Sequence, residues 1–223
     1  MKDIKAVIFD MDGTIIDTEP VLLEIVLQGV EFLGFKPSKE FRNKLSKYNG
    51  VRLINKMFLF EEEFGPSFDT EALFDYYMTN RIDMSVKIGI KTKPGFFELL
   101  NYLKKTKLRL ALCTSTEAEP TNIFLNAVGI DKNIFEVIVC GEDVKKTKPD
   151  PESYLLTCKK LCVKPKECIV FEDSAVGAIA ASSAGCNTIM IPENPPSQDI
   201  KSNCIAMFDD MFQAKEYLQK VLK

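Results

Sequence analysis

Apolar and polar positions along this chain fall into two textures. Residues 6–9, AVIF, form a short apolar run that stops at Asp10, and residues 4–9 predict a buried strand. Helical periodicity comes next over 20–33, with Pro20 suited to a first helical turn and Gly34 to a stop. From 38 to 90 the patterns are helical only. FRNKLSKY, VRLINKMFLFEEEF and TEALFDYYMTNRIDMSV carry apolar residues three and four apart, separated by the turn signals Asn49-Gly50 and Gly65-Pro66. After Pro94 helices and strands alternate. A helix over 96–104 leads to LRLALC, one near 121–128 to EVIVC, one near 152–161 to CIVFE, and the small-residue helix AVGAIAASSAG to NTIMI; CIAMF and a terminal helix close the chain.

Short apolar strands alternating with helices predict an α/β fold: a parallel sheet with helices on both faces. The first strand must join that sheet, because a lone strand cannot bury itself. The helical stretch is then an insertion. The predicted division is a core of residues 1–16 and 93–223 and an all-α unit of residues 17–92.

Ligands of open parallel sheets bind outside the carboxyl ends of the strands. The residues just beyond each apolar run are therefore informative. IKAVIF is succeeded by Asp10 and Asp12, LRLALC by Thr114, Ser115 and Thr116, EVIVC by a loop with Lys146, Lys148 and Pro149, and CIVF by Glu172, Asp173 and Ser174. Right-handed crossovers bring these ends to one edge. Four carboxylates gathered there repel one another unless a cation neutralises them. Mg²⁺ suits such a site, because it takes oxygen ligands and leaves room for a phosphate oxygen. A lysine and a hydroxyl would hold the rest of an anion, and the Asp12-Gly13-Thr14 turn offers backbone N–H groups. Asp10, rigid at a strand end, is the expected nucleophile; Asp12 is the expected general acid and then base, with its carbonyl in reach of the metal.

Composition narrows the chemistry. Histidine is absent from all 223 residues, which removes Ser-His-Asp and Cys-His mechanisms and His-ligated metals. The formal charge of −3 speaks against a nucleic-acid partner. No apolar run reaches the roughly 18 residues of a membrane span. The start MKDIKAVIFD lacks the pattern of a signal peptide. Seven scattered cysteines with no Cys-x-x-Cys suggest buried thiols in a reducing compartment, so the expected location is cytoplasmic.

Asp10-x-Asp12-Gly13-Thr14, Thr114 behind an apolar strand, Lys148-Pro149 and Glu172-Asp173 resemble, in order and spacing, the four motifs of the haloacid dehalogenase superfamily. The insertion resembles the α-helical cap of its β-phosphoglucomutase-like branch. The resemblance implies a Rossmann-like core, a phosphorylated Asp10 and an acid–base Asp12. It implies phosphate contacts from Thr114 and Lys148, and Mg²⁺ held by Asp10, Glu172 and Asp173. Ser115 is expected to add its backbone N–H. Asp17-Thr18-Glu19-Pro20 resembles a segment of small sugar-phosphate phosphatases of this branch, and Leu22 stands where the mutases carry a histidine.

Other residues keep two readings. Asp17 and Glu19 suit either a helix N-terminus or contacts facing the cap. Arg52, Asn55 and Lys56 form a solvated helix face or, if turned inward, read the leaving group. Phe58, Phe60, Phe64, Tyr76 and Tyr77 are expected in the core of the insertion. A phospho-acceptor signalling module also combines acids, a hydroxyl and a lysine around Mg²⁺, but it lacks Asp12 and the helical insertion. The expected protein is an Mg²⁺-dependent phosphatase for a small phosphorylated metabolite such as a sugar or polyol phosphate. It is expected to act through an aspartyl phosphate, as a monomer or weak homo-oligomer, with phosphosugar mutase as the alternative.

Overall fold

The computed structural model describes residues 3–48, 53–192, 195 and 197–222. The elements run β1 (Ala6–Phe9), β2 (Ile16–Asp17), α1 (Glu19–Phe32), α2 (Lys39–Ser46), α3 (Phe58–Phe64), α4 (Thr70–Ile88), β3 (Lys91–Thr92), α5 (Phe96–Leu103), β4 (Arg109–Cys113) and α6 (Ala118–Ala127). They continue through β5 (Val137–Val139), α7 (Glu152–Lys160), β6 (Cys168–Glu172), α8 (Ala175–Ser183), β7 (Asn187–Met190), α9 (Gln198–Lys201), β8 (Ala206–Met207) and α10 (Met211–Val221). Two compact units result: Met1–Asp17 with Lys91–Lys223, and Thr18–Ile90.

The first unit is an α/β core. Its six-stranded sheet has the order β5-β4-β1-β6-β7-β8, and every pairing is parallel. The alternation within AVIF decides what covers it, since successive side chains point to opposite faces. Ala6 and Ile8 pack with Tyr154, Cys158 and Leu161 of the α7 side and with Ala180 and Ala181 of α8. Phe9 points the other way, stacking on Phe171 at 5.1 Å and meeting Phe96 of α5 edge-on at 5.8 Å. Four consecutive residues with no exposure result from this double coverage.

The second unit is all-helical. Its core is Val26, Leu27 and Val30 of α1, Phe41 and Leu45 of α2, Leu59 and Phe60 of α3, with Leu53, Phe68 and Leu73. Gly29 matters to this packing: a Cβ there would lie 2.7 Å from Leu73 Cδ1 and 2.8 Å from Tyr76, so its absence lets α1 and α4 approach closely. Ser38 and Asp69 cap α2 and α4 by accepting from the N–H groups of Phe41 and Ala72. Phe60 is buried and rings 60, 64 and 68 stack, as expected of core residues. Phe58 departs from that expectation, with 46 % of its surface exposed.

Two local features differ from the pattern reading. VRLINKMFLFEEEF is not one helix: within the described residues it is a 3₁₀ turn over Leu53–Lys56 and then α3. An antiparallel pair, β2 with β3, also joins Ile16 to Thr92 and Asp17 to Lys91 where the chain leaves and re-enters the core. Two residues per strand are too few to show a period.

Candidate active site

Parallel pairing sets the rim. Phe9 is in register with Leu112 and with Phe171, so the residues just beyond β4, β1 and β6 emerge side by side. Asp10 is the first residue past β1, with its N–H bonded to Phe171 O at 3.0 Å. Glu172 ends β6 and Asp173 is the next residue. One carboxylate oxygen from each of Asp10, Glu172 and Asp173 lies within 4.8 Å of the other two.

Lys148 enters this group from the loop before α7. Glu152 pins the loop by accepting from the N–H groups of Lys145 and Lys146, both at 3.0 Å. The Lys148 ammonium lies 2.5 Å from Asp10 Oδ1 and 2.7 Å from Glu172 Oε1, and it donates to Cys113 O at 3.2 Å. Asp10 and Lys148 are each 7 % exposed, and Glu172 is fully buried. Glu172 is engaged at both oxygens. Oε1 also accepts from the Tyr154 hydroxyl at 2.5 Å, and Oε2 accepts from Ser174 Oγ at 3.1 Å. Ser174 in turn caps α8 through the Gly177 N–H.

The first loop is shaped by glycine. Gly13 has φ +78°, and a Cβ on it would fall 2.2 Å from Asp173 Oδ2. Only glycine suits both the left-handed backbone and the closeness of the carboxylate. Thr14 holds Asp173 from the other side, donating to Oδ1 at 3.1 Å. The expected anion cradle is absent at two of its groups: Gly13 N–H is bonded to Ile16 O and Thr14 N–H to Met11 O, so both serve the turn itself. Asp12 is only partly buried, and its Oδ2 accepts from the Thr116 hydroxyl at 2.7 Å. Thr114 is buried, with Oγ1 accepting from the Thr116 N–H at 3.0 Å. Ser115 between them is exposed, and its carbonyl sits where a Cβ on Gly141 would be 2.4 Å away.

Burial sets the electrostatics. It pushes the Asp10 carboxyl well above the usual carboxylate range, with Glu172 and Asp173 adding to the rise and Lys148 opposing it. Burial, then the Glu172 charge, lifts Asp173 to about 8. Lys148 is disfavoured by burial, but the charges of Asp10 and Glu172 win and hold it well above the ordinary lysine value. Three carboxylates face one ammonium, which leaves two negative charges uncompensated when all ionise. An all-oxygen donor set with that deficit fits a hard divalent cation.

Elsewhere the predicted residues divide. Asp17 lies in β2, 3.4 Å from the Lys93 ammonium. Glu19 is the first residue of α1, where an acid suits the helix dipole. Arg52 and the Asn49-Gly50 turn lie outside the described residues. Asn55 is exposed; Lys56 is half-buried and donates to Tyr48 O at 3.5 Å. Burial lowers its pKa, against the opposing charge of Glu19. Tyr154 is the site residue that sequence reasoning missed, because an aromatic residue on a helix reads as ordinary core.

A model of the haloacid dehalogenase-like hydrolases matches residues 7–191. YhcW of Bacillus subtilis (strain 168), provisionally assigned as a phosphatase, is 34 % identical over 193 residues, covering 85 % of this chain and 84 % of that one. A phosphorylated carbohydrates phosphatase of Thermotoga maritima is 33 % identical over 188 residues, covering 83 % of each. The crystal structure of a Thermotoga maritima protein, provisionally assigned as a beta-phosphoglucomutase, matches with a TM-score of 0.80 and 29 % identity, covering 98 % of this chain and 100 % of that one. The matched span runs from β1, through Asp10, Lys148 and Glu172, to the residue after β7, and on these grounds the chain belongs to the haloacid dehalogenase-like hydrolases.

Proposed function

We propose that this chain is a phosphatase that hydrolyses a small phosphorylated carbohydrate through a phosphorylated Asp10. The observation that carries the reading is the buried Lys148 between Asp10 and Glu172, with Asp173 beside them. The similarity to a phosphorylated carbohydrates phosphatase supports the substrate class. On this reading residues 1–16 and 93–223 are the catalytic core and 17–92 a helical cap.

The Asp10 carboxylate, fixed at the end of β1, attacks phosphorus. Asp12 protonates the departing sugar oxygen, and the proton it lost is replaced when it activates the water that hydrolyses the acyl phosphate. Its bond to Thr116 orients that carboxyl. Lys148 and Thr114 bind phosphate oxygens, assisted by the backbone of Ser115. Asp10, Glu172 and Asp173, with the Asp12 carbonyl, would hold Mg²⁺, which supplies positive charge against the phosphate and the clustered acids.

Two further expectations belong to this reading. A cytoplasmic location is proposed from the scattered cysteines of the sequence; among the described residues no helix is long and apolar enough to cross a membrane. The expected state is a monomer or weak homo-oligomer.

A screen of phosphorylated sugars and polyols with Mg²⁺, scoring free phosphate and rearranged sugar together, tests the proposal. Phosphate release is the expected result; isomerised product without it would assign a mutase, the class suggested by the structurally similar Thermotoga protein. Chelation should silence the enzyme reversibly, and an unchanged rate in EDTA contradicts the metal role. The pH dependence comes from the raised carboxyls. A carboxyl raised in the folded state stabilises the fold fully at low pH and loses that contribution as pH climbs through its folded value, about 8 for Asp173. Metal-free protein should therefore weaken toward that pH, and Mg²⁺ should raise Tm more there than in acid.

A further inference from the structure

We propose that Tyr154 is a positioning residue that divides the labour of Glu172 between Lys148 and the metal, an inference that rests on the functional reading above. Tyr154 has no exposed surface. Its hydroxyl donates to Glu172 Oε1 at 2.5 Å, and its ring centroid lies 4.8 Å from Lys148 Nζ. Lys148 donates to that same Oε1 at 2.7 Å. One side chain thus touches both members of the buried ion pair, the hydroxyl on the anion and the ring beside the cation.

The rest of the Glu172 environment makes this contact consequential. A Cβ on Gly177 would lie 1.9 Å from Oε1 and 2.1 Å from Oε2, so α8 closes against the carboxylate and leaves it little freedom. Oε1 is held by two donors at short range, whereas Oε2 accepts from Ser174 Oγ at 3.1 Å and from its N–H at 3.4 Å. Tyr154 therefore ties Oε1 to the lysine side, and Oε2, held at longer range by Ser174, is the more weakly engaged oxygen and the one offered to a cation. A buried hydroxyl costs stability unless it is used, and phenylalanine would fill the same space. The tyrosine is explained by what its hydroxyl fixes. With no exposed surface, it acts through Glu172 and Lys148.

Tyr154→Phe in the full chain tests this, with Mg²⁺ alone titrated against metal-free protein by its effect on Tm, and with kcat and KM for p-nitrophenyl phosphate measured in parallel. The expected result is an Mg²⁺ midpoint roughly 10-fold higher and a kcat lower by a similar factor, the usual consequence of losing a partner behind a metal ligand. The metal-free Tm should fall only modestly, because Glu172 loses one donor while Lys148 and the packed ring remain. On a Glu172→Gln background the same change should add nothing, because its effect runs through that carboxylate. An unchanged Mg²⁺ midpoint and kcat in Tyr154→Phe overturn the role. So does an equal loss on the Glu172→Gln background, which would mark a general loosening of α7. Wild-type protein that neither binds Mg²⁺ nor releases phosphate overturns the functional reading and this role together; a normal wild type with an unaffected variant overturns this role alone.

Discussion

Asp10→Asn is expected to lower turnover by about 10³-fold or more while the protein stays folded, because an amide cannot form the acyl phosphate. The fold should tolerate the change. Asp10 is almost fully buried, and its ionised form is opposed by burial and by the neighbouring Glu172 and Asp173. An isosteric amide removes one of these crowded charges, and Lys148 keeps Glu172 as a partner. Steady-state phosphate release and a melting curve check both halves. Activity within tenfold of wild type would dismiss Asp10 as nucleophile.

Lys148→Met should cost both activity and stability, because it removes the ammonium that lies against two buried carboxylates, Asp10 and Glu172. Breaking a buried pair by deleting one partner typically costs about 3 kcal/mol or more, since the other charge is left uncompensated. Methionine keeps most of the volume, so the loss reports charge rather than a cavity. The acids set the sign with pH. Without the ammonium the Asp10 carboxyl, already raised by burial, rises further and is harmless when protonated, so the destabilisation should grow as pH rises. Urea unfolding of metal-free protein in mild acid and near neutrality measures this. Phosphate release should fall by about 10²-fold or more, as when an oxyanion donor is lost. A variant as stable and as active as wild type would contradict the placement of Lys148 in the site.

Much of this site is legible in the linear sequence because strand ends are legible. AVIF, LALC and CIVF are continuous apolar runs, as strands buried on both faces must be, and the polar residue that stops each one marks the rim. Pattern cannot show which polar groups find each other across the fold. The bond between Thr116 and Asp12 spans 104 positions, and nothing near either residue announces it. Tyr154 sits at a helical core position and is indistinguishable by spacing from its apolar neighbours in α7. The same limit explains the turn of Gly13 and Thr14. Their N–H groups read as an anion cradle until the carbonyls of Met11 and Ile16 are seen to take them. Short elements escape for a different reason. CIAMF predicts a longer strand than the observed Ala206–Met207 at the sheet edge, and β2 with β3 are held by two residues each. A strand that brief owes its form to its partner, not to its own sequence.

The central claim is that groups scattered along the chain converge so that Asp10, and no other residue, accepts a phosphoryl group. The most direct measurement is acid quench and peptide mapping of Asp12→Ala protein turning over p-nitrophenyl phosphate, a donor whose leaving group needs no acid. Lacking the base for hydrolysis, this variant should accumulate one phosphoryl group per chain, mapped to Asp10 and absent from a variant that also carries Asp10→Asn. Release of phosphate with no label at Asp10, or label on any other residue, would contradict the account.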